Sequence, residues 1–190
     1  MRKVIYSQMT SLDGFIEGPN GELEWSVPSD QLFSFINERE QLVDTHLYGR
    51  VTYQNMESYW PDREQASDAS DFEIAFSRKW KEINKLVFSS TLTQVEWNSI
   101  LVRDQIKETI NQLKNKPGGD LLLGGAGLAK SFMELDLIDQ YHLYIHPIIL
   151  GSGKRLFSSM NEPKQLKLVN QRSFAGGIVW LCYQRGDQHG

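Results

Sequence analysis

Two short runs in this chain end in glycine and pass straight into helix-like sequence: "YGRVTY" at Tyr48 to Tyr53 and "LLLGGAGLA" at Leu121 to Ala129. A strand with one wet face alternates apolar and polar residues, so the unbroken Leu121-Leu122-Leu123 run bounded by glycines reads as a strand buried on both faces. Helices must then cover both sides of the sheet that contains it.

The remaining sequence repeats this strand-helix alternation. "VIYSQM" at Val4 to Met9 is β-branched and aromatic enough for a first strand, and it breaks at Asp13-Gly14. Residues 14–24 hold Gly14, Gly18, Pro19, Asn20 and Gly21, the composition of a turn-rich, mobile loop that ends at Trp25. Apolar residues at helical spacing, after Pro28 and the N-cap candidate Ser29, predict a helix from Asp30 to Gln41. Thr45 to Tyr48 predicts a strand, Arg50 towards Glu57 a helix, and residues 60–71 a polar loop. Phe72, Ala75, Phe76, Trp80 and Ile83 mark the next helix, followed by strands at Lys85 to Ser89 and Ser99 to Val102. Helices are expected over Asp104 to Asn115 and Ala126 to Leu135. Tyr141 to His146 predicts a strand, and Gln165 to Ser173 with Ile178 to Tyr183 a closing pair about the Ala175-Gly176-Gly177 turn. The expected fold is a three-layer α/β/α domain spanning residues 1–190, its mixed sheet mostly parallel with antiparallel C-terminal strands.

Each glycine junction offers a site for an anion. A glycine at a strand end lets the backbone approach a ligand, and the following helix presents unsatisfied N–H groups at its positive end. Arg50 adds a permanently charged fork suited to phosphate, and the Thr52 hydroxyl lies in the same turn. The plainer alternative is that Gly49 permits a turn and Arg50 coats a helix end. In the second junction Lys130 stands where a dinucleotide fingerprint needs its third glycine, so the motif is not a Rossmann one.

Asp30 is either an ordinary dipole-stabilising carboxylate or, following Trp25, the group that accepts N–H donors of an aminopyrimidine ring from a partly buried pocket. His146 ends a strand near the same edge and either donates to a substrate or is a structural histidine. His46 and His142 have no metal-ligand spacing, and the lone cysteine, Cys182, reads as a small buried hydrophobe, so no metal is expected.

Charge excludes further classes. With 20 basic and 24 acidic side chains the net charge is −4, too little positive field for a nucleic-acid partner. No apolar run reaches the roughly 20 residues of a membrane span, which makes the expected location cytoplasmic.

Taken in order, "SLDGFI" at Ser11 to Ile16, "YGRVTY", "KLVFSS" at Lys85 to Ser90, "LLLGGAG" and "HPIILGSGKRLF" at His146 to Phe157 resemble the dihydrofolate reductase-like superfamily. Within it they are most similar to the reductase domain of the bifunctional riboflavin-biosynthesis deaminase-reductase, and the resemblance covers nearly the whole chain. It implies an NADPH-dependent reductase with the cofactor across the C-terminal edge of the sheet. Gly49, Arg50 and Thr52 would meet the cofactor phosphates, Ser89 and Ser90 the adenosine 2′-phosphate region, and Gly124, Gly125, Ala126 and Gly127 the pyrophosphate and nicotinamide side.

"WSVPSDQL" at Trp25 to Leu32 looks like the dihydrofolate reductase segment that carries the substrate carboxylate, which implies substrate contacts for Trp25 and Asp30, with Asp30 and His146 as catalytic candidates. Folate itself is disfavoured because Ile83 stands where a folate enzyme carries an arginine. A zinc deaminase half cannot be present with one cysteine. The resemblance further implies a homodimer formed through the C-terminal strands. A dihydrofolate reductase-type enzyme and a non-catalytic NADPH-binding sensor are the alternatives to a pyrimidine or pteridine reductase.

Overall fold

The computed structural model describes residues 1–158 and 162–186. Ten strands and five helices alternate through them: β1 (Val4–Ser11), β2 (Phe15–Glu17), α1 (Asp30–Glu40), β3 (Val43–Gly49), α2 (Arg50–Arg63), α3 (Asp71–Glu82), β4 (Asn84–Phe88), β5 (Ser99–Val102), α4 (Ile106–Lys114), β6 (Asp120–Gly124), α5 (Ala126–Glu134), β7 (Gln140–His146), β8 (Lys154–Arg155), β9 (Leu166–Ser173) and β10 (Val179–Arg185). Eight strands form one sheet in the order β5-β4-β3-β6-β1-β7-β10-β9, and β2 pairs with β8 apart from it. Pairing is parallel from β5 to β7 and antiparallel from β7 through β10 to β9. The mixed sheet expected from sequence is the one observed.

Both faces are covered, as the Leu121-Leu122-Leu123 run requires. Leu121 and Leu123 are fully buried in a core with Val4, Tyr6, Leu47, Ile110 of α4 and Ala129, Phe132 and Met133 of α5. On the opposite face Leu32 and Phe35 of α1 pack on Tyr144 and Trp180, and Tyr53 of α2 joins Phe76 and Trp80 of α3 over Tyr48 and Val87. Each fully buried large apolar side chain contributes roughly 1.5–3 kcal/mol relative to exposure, so these clusters fix which helix lies on which side.

Two expectations about loops are corrected. Residues 60–63 continue α2 instead of opening a polar loop, with Pro61 inside the last turn. The Trp60 ring lies 4.3 Å from that of Phe76, and the Ser77 hydroxyl donates to the Trp60 carbonyl at 2.7 Å. Docking on α3 thus outweighs a polar local composition. Nor is 14–24 wholly a mobile loop, because Phe15 and Ile16 are buried and Phe15–Glu17 pairs with β8. Gly153, at φ +138°, allows that approach, since any side chain there would collide with the Glu17 carbonyl.

Candidate active site

Parallel strands deliver their C-terminal ends to one edge, and the helices of the chain differ in how their starts are capped. Ser29 caps α1 by accepting from Leu32 N at 3.4 Å, and Ser70 caps α3 in a capping box with Glu73. No side chain caps α2, α4 or α5. First-turn N–H groups without a partner and the positive helix end favour an anion there.

These three uncapped starts border one cavity of about 430 Å³. Gly49, Arg50, Thr52, Ser89, Ser90 and Gly127 line it, together with Phe88, Val102, Arg103, Ile106 and Lys154 among others. Arg50, Arg103 and Lys154 give it three cationic side chains and no carboxylate in its wall. Arg50 donates to Gln54 Oε1 at 3.1 Å, Arg103 to the Ser90 carbonyl at 3.4 Å, and Lys154 lies 3.5 Å from Glu17 Oε1. Ser89 Oγ accepts from Thr91 N and Leu92 N at 3.2 and 3.1 Å, which shapes the loop after β4.

The two glycine junctions meet at Thr52. Tyr48 and Gly124 are register partners in β3 and β6, and a Cβ on Gly124 would lie 3.3 Å from the Tyr48 ring. Gly125 has φ +89°, and a Cβ there would overlap the Thr52 hydroxyl and come within 3.3 Å of its Cβ. Only glycine satisfies both conditions without strain. Gly49 is different: its φ of −79° suits any residue, and a Cβ would make an ordinary 3.5 Å contact with Leu128. Its value as a turn-former, weighed in the sequence, is therefore not what the backbone asks of it. Ala126 is buried at the start of α5, whereas Gly127 is exposed, with open space where a side chain would stand. Gly125 N reaches Gln8 Oε1 at 3.4 Å.

A second neighbourhood forms where β1 and β7 end. His146 is paired in register with Ser11 and is only 3% exposed, and its Nε2 has no hydrogen-bond partner. The Trp25 ring stands edge-on to it at 5.6 Å. Burial lowers the His146 pKa, which leaves a neutral imidazole at neutral pH, suited to hydrogen bonding more than to storing a proton. Asp30 opens α1 and is exposed, where a partly buried setting was expected.

Neither Trp25, Asp30 nor His146 lines the cationic cavity. One strand, β1, separates β6 from β7, and in register Gly124 stands level with Ser7 and His142, four residues short of His146; at a strand spacing near 4.8 Å and a rise near 3.3 Å per residue the two ends lie roughly 16 Å apart. Between the two neighbourhoods, Asp13 ties the first motif to the last. Its carboxylate accepts from Ser11 Oγ at 2.7 Å, Gly151 N at 2.7 Å and Leu150 N at 3.1 Å, bonds that hold its pKa below the ordinary value.

Arg103 and Lys154 were not among the residues singled out in the sequence. Arg103 directly follows β5 just as Arg50 follows β3, and that repeated position was the available signal. Lys154 comes to the cavity through the β2-β8 pair, which periodicity does not reveal. Among the described residues no group of three His, Cys, Asp or Glu side chains could hold a metal, and no helix is long and apolar enough to cross a membrane.

Residues 2–180 match the model of the RibD C-terminal domain. The chain belongs to that family. A Bacillus subtilis (strain 168) relative, the uncharacterized protein YyaP, is 38% identical over 186 residues, spanning 96% of this chain and 94% of its own. A second one, YwjB, also uncharacterized, is 28% identical over 192 residues, 97% of this chain and 98% of its own. Among solved structures, a Shewanella sp. PV-4 protein provisionally described as a riboflavin biosynthesis protein superposes with TM-score 0.76 at 25% identity, over 98% of this chain and 99% of that one. The Enterococcus faecalis dihydrofolate reductase complexed with NADP(H) gives TM-score 0.64 at 16% identity over 97% of each chain, which establishes the dihydrofolate reductase-like fold of this RibD-type reductase domain.

Proposed function

We propose that the protein is an NADPH-dependent reductase of a pyrimidine or pteridine substrate, most like the 5-amino-6-(5-phosphoribosylamino)uracil reductases. The observation that carries this reading is the convergence of the uncapped starts of α2, α4 and α5 on one carboxylate-free cavity. A Thermotoga maritima deaminase/5-amino-6-(5-phosphoribosylamino)uracil reductase has the same fold at TM-score 0.67 and 18% identity, with this chain spanning 57% of it.

The residues fit a dinucleotide. Main-chain N–H groups at Arg50, Thr52, Ala126 and Gly127 would hold its pyrophosphate, and the glycine at position 125 keeps the two helix starts in contact. Arg50, Arg103 and Lys154 would balance the phosphate charges, with Ser89 and Ser90 beside the adenosine end. NADPH, when bound, supplies the hydride.

The protein contributes orientation, charge and exclusion of water. Trp25 offers a flat apolar wall, and His146 Nε2 a hydrogen-bonding group to fix a planar heterocycle beside it. Asp30, at the mouth of α1, accepts from ring amino groups. Because His146 is held neutral, the proton that completes reduction comes from water that it orients. A homodimer through the exposed edge strand β9, where Leu168 and Val169 are exposed, and a cytoplasmic location belong to the same reading.

The test is to follow NADPH absorbance with the ribosylaminopyrimidine intermediate, pteridines and dihydrofolate, using the wild-type protein and Asp30→Asn. Oxidation dependent on an aminopyrimidine and slowed in Asp30→Asn supports the proposal. Saturable NADPH binding with no oxidation by any candidate would instead favour a cofactor-binding sensor.

A further inference from the structure

Three stretches of chain, residues 4–38, 140–153 and 173–184, build the neighbourhood of Trp25 and His146. His146 is in register with Ser11, Leu12 N donates to the Ile148 carbonyl at 2.8 Å, and Trp25 reaches His146 from the short helical turn Glu24–Ser26. The turn between β9 and β10 closes on the same place: a Cβ on Gly177 would lie 3.4 Å from Pro147, and Ala175 N donates to Gln31 Oε1 at 3.4 Å.

None of these three stretches contains a lysine or an arginine. Asp13, Glu22, Glu24 and Asp30 bring four carboxylates instead. Hydrogen bonds from Ser11 and from Asn20 hold the pKa values of Asp13 and Glu22 below the ordinary range, so both stay ionised at neutral pH. The cations that border the stretches in sequence are engaged. Lys154 belongs to the cofactor cavity and lies 3.5 Å from Glu17, and Arg155 sits over the Phe15 ring at 5.1 Å. Arg172 stacks on Phe35 and Phe174, both at 5.1 Å, while Arg39 lies over Trp180 at 4.4 Å, towards the far end of α1.

The main chain follows the same pattern. Ser29 caps the start of α1, and Asp30 in its first turn offsets the positive helix end, whereas the helix starts at the cofactor cavity carry no side-chain cap. The exposed side chains that accompany the four carboxylates include Leu12, Leu23, Val27 and Ile149, each between 49 and 72% exposed. An anionic group brought here would lose water and gain neither a cation nor a free helix end, against a negative local field.

We infer that the substrate of this site bears no phosphate or carboxylate, and that among pyrimidines and pteridines the protein takes the unphosphorylated, uncharged members. The inference rests on the reductase reading and narrows it.

Matched pairs test it: 5-amino-6-(5-phosphoribosylamino)uracil against its dephosphorylated form, and dihydrofolate against 6-methyl-dihydropterin, which lacks the glutamate tail. Each is titrated calorimetrically into the protein saturated with NADP+. At low ionic strength the uncharged member of each pair is expected to bind at least tenfold tighter, with the ratio shrinking as salt is added. Glu24→Lys, a change at an exposed position, should cut the ratio at least threefold, and Glu24→Gln should fall between. Equal or tighter binding of the anionic members, no binding by any of the four, or a ratio indifferent to both salt and Glu24→Lys would overturn the inference. NADPH oxidation followed in parallel separates the two readings. An anionic member reduced as fast as its uncharged partner overturns this inference alone, whereas no reduction of any of the four removes the reductase reading with it.

Discussion

Gly125 and Thr52, which belong to different strand-helix units, pack so closely that no side chain can stand at position 125 without displacing the Thr52 hydroxyl. This contact joins two helix starts that sequence could read only separately. It predicts that Gly125→Ala, with both a collision and a φ of +89° to accommodate, destabilises the fold by about 1–3 kcal/mol and weakens NADPH at least tenfold. Chemical denaturation and a binding titration measure the two effects independently.

Gly127 supplies the contrasting case. It lies in the first turn of α5 with nothing near its missing side chain, so Gly127→Ala adds helix propensity and should raise stability by about 0.5–1 kcal/mol. The added methyl projects from the cavity wall, so NADPH affinity should fall nevertheless. Loss of stability in this variant would show that the glycine has a structural duty that its surroundings do not reveal.

Arg103 and Arg50 both hold exposed positive charge in the wall of the same cavity. Arg103→Ala should weaken NADPH severalfold and flatten the dependence of affinity on ionic strength, because exposed charges are screened by salt. An unchanged salt slope would remove Arg103 from the phosphate site.

Much of this arrangement was legible in sequence where a local rule governs. The buried leucine run announced a two-faced sheet, and the Ser29 cap and apolar spacing placed α1 within one residue of its observed end. What escaped was decided by distant contacts. The last turn of α2 exists because Trp60 docks on Phe76, and β2 exists because Gly153 lets Lys154–Arg155 pair with Phe15–Glu17. The same tertiary pairing brings Lys154 to the cleft. Asp30 illustrates the reverse, since its neighbours in sequence suggested a pocket, yet the helix start leaves it exposed.

The buried histidines make stability depend on acid. Burial lowers His46 to about 3 and His142 to about 4, whereas both take up a proton near 6.5 once unfolded. The unfolded chain therefore binds more protons below that point, and stability falls as pH drops from about 6.5 towards 4, by up to roughly 1.4 kcal/mol per pH unit for each histidine. Glu40, whose pKa is raised, acts in the opposite sense near the acid end. Urea unfolding across this window should show a shallower decline in His142→Gln than in wild type, and parallel curves would contradict the assignment.

His146 separates binding from chemistry. Its Nε2 faces no protein partner and lies outside the cationic cavity, so His146→Ala should leave the NADPH dissociation constant unchanged while lowering kcat by at least tenfold on the substrate that supports turnover. Equal losses in cofactor affinity would place it in the nucleotide site instead.

The most direct test is a titration of the purified protein with NADPH at low ionic strength, read by quenching of protein fluorescence. Saturable binding of one dinucleotide per chain, weakened together by Gly125→Ala and Arg50→Ala, is the predicted result. A featureless titration, or full affinity retained in both variants, would mean that the uncapped helix starts do not meet on a dinucleotide.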